Sequence, residues 1–178
     1  MPLVSIIGCE LFTKELAELL AKDDNIDRLA VVNGRSQLII NDLKDLGIEP
    51  EVISSDSLPA GLNKDNGFNI IVTLQSSLLH NDIPKLKKET YEKIKFYGNI
   101  SDSILLFYGS CDGAFNNIFS DFKKPGFSLK ALFKEDDSLV DTSIDNCASF
   151  LADSSGINSQ MLEIYDRCYG EIKKDLLV

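Results

Sequence analysis

Neither of the common nucleotide-binding signatures occurs in this sequence: there is no GxxxxGK[ST] phosphate loop and no GxGxxG fingerprint. That excludes the two usual ways in which an α/β chain seats a phosphate on glycine-rich backbone. Histidine is nearly absent too. With His80 the only one, any Ser-His-Asp or Cys-His arrangement must run through it, and no GxSxG elbow accompanies it. No apolar run approaches the roughly 18 residues of a membrane-spanning helix. Met1 leads straight into an apolar segment without a basic leader or cleavage-site pattern, so a cytoplasmic protein is expected. Basic residues are outnumbered, 18 Lys and Arg against 28 Asp and Glu, for a formal charge of -10. A surface of that sign repels nucleic acid and anionic membranes unless a local basic patch intervenes, and neither is an expected partner. The four cysteines are widely spaced with no CxxC among them, which in a cytoplasmic chain points to reduced thiols or metal ligands rather than a disulfide framework.

What the chain does have is 44% hydrophobic residues in 178, enough for the ordinary core of a single domain over residues 1–178. Short apolar runs alternate with amphipathic stretches, the pattern of an α/β fold. Strands are predicted at Leu3 to Gly8, Leu29 to Val32, Glu51 to Ile53, Phe68 to Leu74 and Ile104 to Tyr108, with an edge strand within Phe127 to Phe133. Helices are predicted around Phe12 to Leu20, over Leu38 to Leu46 with Gly47 as a left-handed cap, and from Asp82 as a cap to about Tyr97. Further helices are expected at Ala114 to Phe122, Thr142 to Ala152 and Gly156 to Leu176, and residues 56–67 read as a polar loop. The architecture that follows is a three-layer α/β sandwich with a mainly parallel sheet of four to six strands and its site at the strand carboxyl ends.

Cys9 and Cys111 stand at the exits of two of the predicted buried strands, and Cys147 sits in a predicted helix with Ile144, Phe150 and Leu151 on one stripe. Ile6-Ile7-Gly8-Cys9 and Phe107-Tyr108-Gly109-Ser110-Cys111 both run apolar strand, glycine, thiol, and glycine at a strand exit is common enough to explain the echo. Gly109 and Gly113 bracket Ser110-Cys111-Asp112, either as a tight turn or as amides open to an anion. Asp112, Asp145 and Asp153 are candidate carboxylates, though solvated or capping roles are the commoner use in so acidic a chain. Cys168 shares a helical stripe with Met161, Ile164, Tyr165 and Ile172 and is assigned to packing.

These segments also carry a resemblance. Cys9 after the first strand, Leu79-His80-Asn81-Asp82 before a Leu- and Lys-rich helix, Tyr108-Gly109-Ser110-Cys111, and Asp145-Asn146-Cys147 before Phe150-Leu151 follow one another over roughly residues 3–155. In that order they resemble the domain of unknown function 1638 family. The resemblance implies a setting in methanogenic archaea and anaerobic bacteria, beside corrinoid-dependent methyltransferase systems. The chain departs from the pattern in that Glu10 follows Cys9 and Asp112 follows Cys111, where members usually have glycine. Asp145-Asn146 also replaces His-Asp before Cys147.

Residues and resemblance converge on Cys9, His80, Cys111 and Cys147 as metal ligands, with Asp112 and Asp145 tuning them from outside the ligand set. Three thiolates and an imidazole suit Zn²⁺, and three thiolates alone suit an iron-sulfur cluster. The function expected is a metal- or cluster-binding protein of anaerobic one-carbon or corrinoid methyl metabolism. Two alternatives stand beside it. One is a metal-free enzyme with Cys9 or Cys111 as nucleophile. The other is an accessory domain that docks on a corrinoid protein or methyltransferase through the last helix or the Lys-rich helix at 85–95, a face more often simply solvated.

Overall fold

The structure, a computed structural model, describes residues 2–58, 67–109, 111–123, 128–131 and 159–177. Six strands form one sheet: β1 (Leu3–Cys9), β2 (Ile26–Val32), β3 (Glu51–Ile53), β4 (Phe68–Gln75), β5 (Ser103–Phe107) and β6 (Ser128–Ala131). Their order is β3-β2-β4-β1-β5-β6 and every pairing is parallel. β1, β4 and β5 are buried along their whole length, because a parallel sheet is covered on both faces and its central strands read as unbroken apolar runs.

Helices α1 (Thr13–Ala21), α2 (Gln37–Asp45) and α5 (Ser159–Leu176) share one face, α1 touching both of the others. Helix α3 (Ile83–Tyr97) covers the opposite face together with the short α4 (Ile118–Asp121), to which Tyr91 bonds at Asp121 and against whose end, Phe122, it packs edge to face. A right-handed crossover puts its helix on the face dictated by its direction of travel. The connection leaving β1 runs past β4 to β2 and the one leaving β4 runs past β1 to β5, so the two depart on opposite sides of the sheet. The carboxyl ends of β1 and β4 are thus the topological switch point, where open α/β sheets place their ligands.

Local chemistry explains the element ends. Gly47 has φ 81, its N–H donates to the Lys44 carbonyl, and that of Ile48 donates to the Leu43 carbonyl, closing α2 as a Schellman turn. Asp82 caps α3 by accepting from the Lys85 N–H, with Pro84 in the first turn. β2 begins at Ile26 rather than Leu29. Asp27 accepts from the Phe68 N–H at 2.6 Å and Arg28 pairs with Glu51 of β3, so charged residues extend a ladder that apolar patterning alone misses. The helix expected at Ala114 to Phe122 shrinks to α4, preceded by a 3-10 turn at Cys111–Gly113. Gly113 in the left-handed region and the Asn116-Asn117 pair favour turns over helix. The edge strand is Ser128–Ala131, and the last helix is described over Ser159–Leu176. The helix expected at Thr142 to Ala152 lies outside the described residues, as do residues 59–66 of the expected loop. Among the described residues, no helix is long and apolar enough to cross a membrane.

Candidate functional site

The side chain of Cys9 ends β1, and its register partner on β4 is Gln75, so the two lie side by side on the α3 face of the sheet. Beyond β4, Ser76 accepts from the Leu78 N–H and starts a 3-10 helix, Ser77–Asn81, that lifts His80 back over the end of β1. His80 Nε2 comes to 3.4 Å from Cys9 Sγ. The thiol is 1% exposed and the imidazole half-buried.

Glu10, directly after Cys9, ties the two turns together. One of its carboxylate oxygens accepts from the Ser77 N–H and hydroxyl, both at 2.8 Å, and from the Ser76 hydroxyl, while the other faces Arg35 at 3.6 Å. Burial alone would push this carboxyl up. The hydrogen bonds from Ser77 and Ser76 and the charge of Arg35 outweigh it and hold the group below the usual glutamate range. Glu10 therefore fixes the distance between the turn that carries the thiol and the turn that carries the imidazole. In the sequence Glu10 is only the residue that follows Cys9, and its partners lie in a turn that local pattern does not pair with it.

Cys111 opens the 3-10 turn after β5 with φ 48, the one non-glycine residue in the left-handed region among the described residues. Such backbone persists where the surroundings over-determine it. The Tyr108 side chain lies between the strand ends, donating to Gln75 Oε1 at 2.6 Å, and Thr90 of α3 donates to the same oxygen at 3.0 Å. Complete burial, then the negative forms of Cys9 and Cys111 nearby, push the Tyr108 hydroxyl well above the usual tyrosine range, so it remains a neutral donor. On the far face Tyr165 of α5 bonds to the Tyr108 carbonyl, which pins the end of β5. In the sequence Tyr108 is only the end of a predicted strand and the first residue of the Tyr108-Gly109-Ser110-Cys111 segment, and Gln75 is unmarked, because their roles depend on which strands become neighbours.

The structure thus joins Cys9 to His80 and sets both Cys9 and Cys111 beside Tyr108. Cys147, Asp145 and Asp153 lie outside the described residues, as does the side chain of Asp112. Among the described residues, no group of three or more His, Cys, Asp and Glu side chains could hold a metal ion. Cys9 Sγ and His80 Nε2 stand at the hydrogen-bonding distance of a thiol and an imidazole. A sulfur and an imidazole nitrogen on one tetrahedral zinc lie about 3.6 Å apart from standard bond lengths, close to the 3.4 Å between Cys9 and His80. Cys168 is buried on α5 and donates to the Ala131 carbonyl, well apart from this pair in role.

A family model described as a protein of unknown function (DUF1638) matches residues 74–169, the span from the end of β4 into α5. No curated protein matches the chain.

Proposed function

The chain belongs to the DUF1638 family of proteins of unknown function, and we propose that within it this protein binds a thiophilic metal through Cys9 and His80. The observation that carries the reading is the 3.4 Å contact between Cys9 Sγ and His80 Nε2, partly buried at the switch point. Sulfur and imidazole donors select zinc or an iron-sulfur centre over the hard cations that prefer carboxylates. Cys111 and Cys147 would complete the set. A bound ion would act as a Lewis acid and keep its thiols deprotonated. Glu10 holds the two turns at ligand spacing. A role in anaerobic one-carbon or corrinoid methyl metabolism, with a corrinoid protein or methyltransferase as partner in the cytoplasm, belongs to this proposal and rests on the family resemblance alone.

Anaerobic expression with iron and zinc supplied, followed by metal and acid-labile sulfide analysis, tests the reading. Near-stoichiometric metal is expected in the native chain, with loss in Cys9→Ser, His80→Ala and Cys147→Ser. Sulfide would assign a cluster and its absence zinc. Folded, metal-free protein would overturn the proposal. One observation favours a second reading: Cys111 is held at φ 48 at the start of the 3-10 turn Cys111–Gly113, between β5 and α4, a strained strand-to-helix position of the kind nucleophiles occupy. Selective alkylation of Cys111 in metal-free protein would support it.

A further inference from the structure

A cleft of about 600 Å³ opens beside the turn that carries His80, between the carboxyl ends of β2, β3 and β4 and the Lys85, Glu89 and Lys93 side of α3. Its size is that of a small-molecule site, which typically runs about 300–1,000 Å³. Against the chain's overall charge of -10, its lining is locally cationic: Arg35, Lys85 and Lys93 face it, with Asp82 and Glu89 as the carboxylates. Asp82 is already engaged in capping α3. Arg35 reaches Glu10 only at 3.6 Å, and among the described residues neither Lys85 nor Lys93 has a carboxylate oxygen within 4.0 Å. Lys93 is half-buried, and burial lowers its ammonium from the usual lysine range although Glu89 opposes the shift. Among the described residues Glu89 is the one carboxylate whose charge acts on Lys93, and it is not in contact, so a partly desolvated ammonium there gains from a further anion.

The floor of the cleft supplies an independent sign. Gln75 lines it and is 3% exposed; its Oε1 is taken by Tyr108 and Thr90, while its Nε2 is the one buried side-chain nitrogen or oxygen without a hydrogen-bond partner among the described residues. Buried amide donors are rarely left unmatched in a native protein. Thr73 and Ser76 line the same wall, the Ser76 hydroxyl donating to Glu10 and accepting from the Leu78 N–H with one lone pair left over.

We propose that this cleft binds a small organic anion, a carboxylate or phosphate ester, whose charge is held by Lys93, Lys85 and Arg35 and whose polar body is met by Thr73, Ser76 and Gln75. The site adjoins Cys9 through its register partner Gln75, yet it does not depend on the metal. It also changes the reading of α3: Lys85 and Lys93, expected as solvated surface, form one wall of the cleft.

Titration calorimetry at low salt with citrate and with pyrophosphate, and with glycerol as the neutral control, tests it on the full chain. One saturable site for at least one of the two anions and none for glycerol is expected, with affinity falling about tenfold or more in Lys93→Gln. Lys85→Gln should weaken binding less, and Lys44→Gln, on α2 away from the cleft, should leave it unchanged. Absence of saturable binding by either anion would overturn the proposal, as would undiminished binding in folded Lys93→Gln and Lys85→Gln. Binding that persists in Cys9→Ser would uphold the cleft even if the metal reading fails, and metal content unchanged in Lys93→Gln keeps the two tests separate.

Discussion

The two faces of the single sheet are built from different chemistry. Toward α1, α2 and α5 project Val4 and Ile6 of β1, Ile70, Val72 and Leu74 of β4, and Leu105 and Phe107 of β5, the last stacked on Tyr165 at 3.7 Å between ring centres. Toward α3 project Ser5, Ile7 and Cys9, then Ile71, Thr73 and Gln75, and after β5 Tyr108. There Ser5 bonds Ser101, and Gln75 gathers Tyr108 and Thr90. One face is held by shape and burial, which tolerate exchange among apolar residues of equal volume. The other carries buried polar groups that must each find a partner, and such networks specify one arrangement because a half-satisfied network is costly. The candidate site lies on the polar face, where side chains have fixed directions and a thiol can be aimed at an imidazole.

The contrast can be broken most severely from the apolar side. Phe107→Ala removes the ring stacked on Tyr165 and should lower the unfolding free energy by about 3–5 kcal/mol, whereas Phe107→Leu should cost far less; denaturant melts compare them. On the polar side Glu10→Ala should cost about 1–2 kcal/mol and separate the turns bearing Cys9 and His80, visible as a changed alkylation rate at Cys9. The Glu10 carboxyl is lowered by folding, so its stabilisation is complete above the unfolded value of about 4.3 and is lost as pH falls through its folded value. Acid melts of native chain and Glu10→Gln should therefore converge at low pH and diverge toward neutrality. Gly113→Ala forces a side chain onto φ 77 with its Cβ 2.9 Å from the Asn116 amide and should cost about 1–2 kcal/mol, a loss that thermal unfolding would register. Tyr108→Phe should cost about 1 kcal/mol and leave Gln75 short of a donor, which amide exchange at the end of β4 would reveal. The smallest effect belongs to the exposed Arg28 and Glu51 pair, half open to solvent at the rim, where Glu51→Gln should change stability by less than about 1 kcal/mol.

Strands β1, β4 and β5 and helices α1 to α3 were legible because burial on two faces writes an apolar run and burial on one face writes a helical stripe, both within a few residues of sequence. β2 was read short and α4 long for one reason: Asp27, Arg28, Gly113 and Asn116 act through partners or backbone conformations that hydropathy does not record. At the site, Cys9, His80 and Cys111 could be named from their positions at strand exits and from the family resemblance. Glu10 and Tyr108 were visible in the sequence without a role, and Gln75 and Thr90 not at all, since each acquires its part only when the fold brings it to a partner.

From the order of its residues, this chain settles the kinds of its elements, most of their limits and the α/β class, because each of these depends on neighbours three or four positions away. Strand order is a matter of another kind. Cys9 and His80 are 71 positions apart and Tyr108 and Gln75 are 33 apart, so their contacts exist only once β4 has inserted between β2 and β1 and the two crossovers have left on opposite faces. The same insertion turns a helix face that reads as solvated into the cationic wall of a cleft. Long-range pairing, decided by the packing of whole elements rather than by any short stretch, places the chemistry.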